Sequence, residues 1–193
     1  VKSTTSAHRR PDYTPPLVTP TANETVGHPE KPATDDPRER LVFVHAGSIW
    51  SMTAAGRDAT RLTMRANRGP DTAPAISPRG DQAAFSSPRE GVAKIHLVAL
   101  NGVGARTLTD GAGGGDTDPS WSPDGKKLVF VRGRPDERRD LYVVDLESGA
   151  APTLLLEGQD DDPSIAGWPV WSPDGKTLAF SSDRGEGRGI GLW

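Results

Sequence analysis

At 193 residues the chain is long enough for one core, and with no cysteine it has neither disulfides nor thiolate metal ligands to hold that core together. Charged residues make up 25% of it but sum to a formal charge of only −3, which argues against the basic footprint that nucleic-acid binding requires. No apolar run approaches the roughly 20 residues of a bilayer span, and Val1-Lys2-Ser3-Thr4-Thr5 leads into no apolar signal core; the start at Val1 fits a processed or truncated product, which leaves room for an export signal ahead of it, and fits equally a sequence cut at that point.

Residues 1 to 40 hold seven of the 18 prolines and, of the 22 glycines, only Gly27. Proline and threonine around sparse apolar residues bury too little surface to offset chain entropy, so a disordered linker or tail is expected there. Beyond residue 40 the pattern becomes periodic. Leu41-Val42-Phe43-Val44 is a short apolar run, followed by Ile49-Trp50 and then Arg61-Leu62-Thr63. A fuller copy begins at Pro74-Ala75-Ile76-Ser77-Pro78-Arg79-Gly80 and runs through Ala83-Ala84-Phe85-Ser86, Ile95-His96 and Arg106-Thr107-Leu108-Thr109. The next begins at Pro119-Ser120-Trp121-Ser122-Pro123-Asp124-Gly125 and continues through Leu128-Val129-Phe130-Val131, Leu141-Tyr142 and Thr153-Leu154-Leu155. The last has Pro169-Val170-Trp171-Ser172-Pro173-Asp174-Gly175, Leu178-Ala179-Phe180-Ser181 and Leu192-Trp193. The Ser-Pro steps lie 45 and then 50 residues apart. Four short strands per period predict an all-β propeller of four-stranded antiparallel blades, over 41–63, 71–109, 116–156 and 166–193. Ser-Pro-Asp-Gly supplies the tight turn between the first two strands, because Pro presets φ, Asp bonds nearby backbone and Gly accepts positive φ.

Trp121-Ser122-Pro123-Asp124-Gly125-Lys126-Lys127-Leu128-Val129-Phe130, followed by Asp140-Leu141-Tyr142-Val143-Val144-Asp145, resembles the WD-like repeat of TolB-type propellers, and Trp171 to Phe180 repeats it almost letter for letter. The resemblance implies the fold and leaves function open, since similar propellers bind partners in periplasmic TolB and gate substrates in prolyl-oligopeptidase-type serine peptidases. Counting strands gives three, four, four and three, an incomplete ring of about three and a half blades whose missing blades belong to a longer parent chain.

Function is expected on the face opposite the Ser-Pro-Asp-Gly turns. There Asp71, Asp116, Asp118 and Asp160-Asp161-Asp162 enter the inner strands, surrounded by Arg89, Arg132, Arg134, Arg138, Arg139, Arg184 and Arg188 from the next loops: an acidic inner ring inside a basic outer one. Such carboxylates either cap loop backbone or attract a basic peptide or a cation, calcium being the metal that oxygen ligands alone would suit. No other cofactor is expected. Trp121 and Trp171 occupy one register position and read as packing between blades, whereas Trp168 falls outside the strand in a lengthened connection and is the leading contact residue. No catalytic set is evident: His8 and His28 lie in the tail, and His45 and His96 have no serine nucleophile elbow nearby. Gly111-Ala112-Gly113-Gly114-Gly115 lacks the lysine and hydroxyl of a phosphate-binding loop and reads as a flexible connection. The expected function is a non-catalytic module, exported to the periplasm or the cell exterior, that binds a protein or peptide at the Asp-bearing face. The alternative is the gating propeller of a prolyl-oligopeptidase-like serine peptidase.

Overall fold

The computed structural model describes residues 39–64, 68–157, 165–182 and 191–192, all within the compact unit Thr34–Trp193. The expected linker lies outside the described residues apart from its last two positions. Fourteen strands form four antiparallel sheets. Blade 1 holds β1 (Arg40–His45), β2 (Ser48–Thr53) and β3 (Thr60–Arg61); blade 2 holds β4 (Thr72–Ile76), β5 (Gln82–Ser87), β6 (Lys94–Ala99) and β7 (Arg106–Thr107). Blade 3 holds β8 (Asp116–Trp121), β9 (Lys127–Gly133), β10 (Arg139–Asp145) and β11 (Thr153–Leu156); blade 4 holds β12 (Ile165–Trp171), β13 (Leu178–Ser182) and β14 (Gly191–Leu192). Each sheet is a meander in sequence order, the arrangement that short hairpin turns enforce. The described residues contain no α-helix.

Strand alternation explains how one blade serves two interfaces. Adjacent side chains point to opposite sheet faces, and each inner blade is covered on both. Ala83, Phe85 and Val98 of blade 2 pack with Ile49 and Leu62 of blade 1. Their neighbours Ala84, Ile95 and Leu97 turn the other way, onto Trp121, Leu128, Phe130 and Val144 of blade 3. Val129, Val131 and Leu141 then pack with Phe180 of blade 4, with Trp171 and Leu178 partly buried beside it. Double coverage is why the second strand of each blade reads as an unbroken apolar or small run, with no polar alternation. Phe85 and Phe130 are wholly buried, each worth roughly 2–3 kcal/mol of apolar burial. Leu41 of the first blade and Val170 of the last are exposed.

The repeated turns are closed systems. Ser122 Oγ donates to Asp124 Oδ1 (2.6 Å) and accepts from Lys127 N (2.9 Å), Asp124 Oδ1 also accepts from Lys126 N (3.0 Å), and Gly125 N reaches Ser122 O (2.8 Å). Ser172, Asp174, Lys176, Thr177 and Gly175 reproduce every one of these bonds within 0.1 Å. The serine hydroxyl first and the backbone N–H second hold both Asp124 and Asp174 below the usual carboxylate range. Gly125 and Gly175 each have φ of 70°, a conformation that a side chain resists, and each lies against the turn proline of the preceding blade, Pro78 or Pro123.

Candidate functional site

The inner strands β4, β8 and β12 lie side by side, β8 packing against both others. Each carries a bulge. Pairing with the second strand shifts register between Thr72 and Ala75, between Thr117 and Ser120, and between Gly167 and Val170. At each bulge stands a non-glycine residue with left-handed φ followed by proline: Ala73 (47°), Asp118 (53°) and Trp168 (51°). Such a backbone costs an L-residue roughly 1–2 kcal/mol, so its recurrence in three blades marks a geometry that the inner wall requires. The side chains at this one position are a methyl, a carboxylate and an indole. Together with Ser120, Pro169 and Val170 they line a groove of about 260 Å³. Trp168 is 66% exposed and Val170 58%. Trp168 thus belongs to β12, not to the connection ahead of it, and its exposure comes from the bulge.

The other aspartates divide. Asp71 and Asp116 are both 0% exposed, which corrects the expectation that they offer a partner an acidic ring. Arg89 Nη2 donates to both oxygens of Asp71 (2.9 and 2.8 Å), and Arg132 grips Asp116 through Nε (2.7 Å) and Nη2 (2.9 Å). The preceding blade adds a third bond to each: Thr63 Oγ1 donates to Asp71 Oδ2 (2.5 Å) and Gly111 N to Asp116 Oδ2 (3.2 Å). Thr63 in turn accepts from Ile49 N (2.9 Å), and Thr109 from Ile95 N (3.0 Å). These are latches between blades. A buried carboxylate is tolerable only when paired and fully hydrogen-bonded, which they achieve. The guanidinium groups also sit over rings, Arg89 at 5.2 Å from Phe85 and Arg132 at 4.7 Å from Tyr142. The hydrogen bond to Asp116 pushes the Arg132 pKa up despite burial. Two of the arginines assigned to an outer basic ring are therefore internal counter-ions. Asp160, Asp161, Asp162, Arg184 and Arg188 lie outside the described residues.

Asp118 is different. It is half-buried, its Oδ2 accepts from Thr117 Oγ1 (3.1 Å), and among the described residues no cationic side chain pairs with it. A second cavity of about 310 Å³ lies at the periphery of blade 3, lined by Arg132, Arg134, Tyr142, Leu154 and Glu157, but its charges are mutually engaged: Arg134 Nη1 meets Glu157 Oε1 at 3.0 Å and Asp140 Oδ1 at 3.7 Å. Among the described residues, no three His, Asp or Glu side chains gather as a metal site would need.

The two tryptophans read as packing are unequal. Trp121 is 7% exposed and its Nε1 donates to Ala75 O of blade 2 (3.0 Å). Trp171 is half-buried, and its Nε1 has no acceptor among the described residues. The glycine segment is not a loose connection either. Gly114 N donates to Gly133 O and Gly133 N to Gly115 O, both at 2.8 Å, and a Cβ on Gly113 would stand 2.6 Å from Gly133 O, so the glycines permit backbone to lie on backbone.

Four meandering sheets, three of them with bulged inner strands that lie side by side, define a β-propeller module, here in part of a ring. Residues 54–167, more than half of the chain, match the family model PD40, TolB beta propeller domain, and the chain belongs to that family. It is 34% identical over 99 residues to the uncharacterized protein Atu1656 of Agrobacterium fabrum, covering 46% of this chain and 33% of that protein. It is 29% identical over 118 residues to Tricorn protease homolog 1 of Streptomyces coelicolor, covering 60% and 11%. Among solved structures, a TolB-type protein of Agrobacterium tumefaciens superposes with a TM-score of 0.66 at 26% identity, over 80% of this chain and 53% of that one. The chain thus spans a third or less of these curated relatives and about half of the TolB-type structure. No helix among the described residues is long and apolar enough to cross a membrane.

Proposed function

We propose that this chain is part of a non-catalytic propeller that binds a protein or peptide partner at the groove formed by the three inner-strand bulges, within an exported parent protein whose further blades complete the ring. One observation carries the reading: the bulge repeats its backbone in blades 2, 3 and 4 while its side chain changes from Ala73 to Asp118 to Trp168. In blades 3 and 4 the turn keeps its side chains together with its backbone, whereas the bulge changes its side chain on a fixed, strained backbone, the behaviour of a position that presents side chains outward. A tryptophan two-thirds exposed in a groove is also the residue type on which interfaces concentrate their energy. Selection of displayed peptides on the immobilised chain tests this. Enriched clones are expected to lose binding to a Trp168→Ala variant and keep it to Lys126→Ala on the turn face; clones indifferent to Trp168 contradict it.

The similarity to Tricorn protease homolog 1 favours a second reading, in which the module serves a peptidase as its gating propeller. The parent coding sequence separates the two, because a Gly-x-Ser-x-Gly segment on a strand-turn-helix would assign the chain to a hydrolase.

A further inference from the structure

Within that partner-binding reading, we propose that the groove takes a lysine or arginine side chain from an extended polypeptide, its charge at Asp118 and its alkyl stem along Trp168 and Val170. Three buried or half-buried carboxylates enter the described inner strands, and two of them, Asp71 and Asp116, have their cation built in. Asp118 has only the Thr117 hydroxyl. It occupies the same groove as the exposed indole, and chain geometry keeps the way between them open: Gly167, next to Trp168, has φ of 139°, and a Cβ there would stand 3.1 Å from Asp118 Oδ2. A carboxylate beside a flat aromatic face and an aliphatic side chain matches a side chain that is apolar along its stem and cationic at its tip. A bound metal ion fits less well, because the described residues bring no third acidic or imidazole ligand to Asp118. Proline on the C-terminal side of each bulge residue, Pro74, Pro119 and Pro169, removes one backbone N–H per blade, a donor that a donor-only cation has no use for.

The test follows the Trp168 indole N–H resonance, assigned with Trp168→Phe, during titration with Gly/Ser nonapeptides bearing one central arginine, lysine, citrulline or norleucine. Arginine and lysine peptides are expected to bind about fivefold or more tightly than citrulline or norleucine, the scale of one partly exposed ion pair. That preference should vanish in Asp118→Asn while the fold stays unchanged in its amide spectrum. Equal binding of arginine and citrulline peptides overturns the cation assignment and leaves the groove as a binding site. Failure of every peptide, while displayed clones still depend on Trp168, also overturns the cation assignment. Clones that ignore Trp168 remove the groove itself.

Discussion

Two features recur in successive blades, the turn after the inner strand and the bulge within it, and they recur in opposite ways. At the turn of blades 3 and 4, backbone and side chains repeat together, Ser122 to Lys127 and Ser172 to Thr177 sharing the serine–aspartate bond and both backbone bonds onto those side chains, while blade 2 carries Arg79 in the aspartate's place and bonds Ser77 to Asp81. At the bulge only the backbone repeats, through Ala73, Asp118 and Trp168. The turn satisfies its own polar groups and stacks on its neighbour, so each side chain there has a structural use. The bulge side chains have little to hold. Repetition of a backbone marks what the fold needs, and variation on it is the observation on which the proposed partner site rests.

The comparison predicts a ranking of variants. Trp121→Ala is expected to be the most costly, about 4 kcal/mol by urea denaturation, because it opens a cavity between blades 2 and 3 and strands Ala75 O. Trp171→Ala should cost visibly less, since that ring is only partly buried and gives up no hydrogen bond. Equal losses would erase the distinction between a full blade interface and the terminal one. Asp116→Asn comes next, at about 3 kcal/mol, because Arg132 would be left without its buried anion, and an Asp116→Asn/Arg132→Met pair should recover part of the loss in a double-mutant cycle. Gly125→Ala on the turn should cost roughly 1–2 kcal/mol from its positive φ alone, since the space around it is open enough for a methyl.

A smaller effect concerns pH. His96 is buried, stacks on Phe85 with centroids 5.4 Å apart, and has Nδ1 3.3 Å from Thr107 Oγ1. Burial first and the Arg89 charge second push its pKa down, while Glu90 and Asp71 oppose them. The native state therefore keeps His96 neutral where the unfolded chain would protonate it. Its contribution is complete above the unfolded value of about 6.5 and declines as pH falls below that. His96→Gln should flatten the fall in urea midpoint between about pH 7 and about pH 5, and an unchanged slope would assign the dependence elsewhere.

The strands and their grouping were legible because they depend on local patterns: apolar runs such as Leu128–Val131 and the turn chemistry of Ser122–Gly125. The runs Ala83–Ser86, Ile95–His96, Leu128–Val131 and Leu141–Tyr142 stand within Gln82–Ser87, Lys94–Ala99, Lys127–Gly133 and Arg139–Asp145. The latches were not legible, because the arginine has no fixed offset: Arg89 lies four residues after Phe85 but Arg132 only two after Phe130. Asp71 and Asp116 consequently looked like surface charge. Trp168 differs from Trp121 and Trp171 in exposure, and its place in a strand is hidden from the sequence because a bulge before Pro169 reads as a break. The signal was present in Ala73-Pro74, Asp118-Pro119 and Trp168-Pro169, three residue–proline steps at one position of the repeat.

The division between a structural turn and a presenting bulge is tested most directly by urea denaturation of Asp124→Ala beside the double variant Asp118→Asn/Trp168→Ala. Asp124→Ala should lower stability by about 1 kcal/mol through the lost turn hydrogen bonds, while the double variant should stay within about 0.5 kcal/mol of the parent, as surface changes do. A double variant that loses as much as Asp124→Ala would make the bulge side chains part of the scaffold and contradict the account.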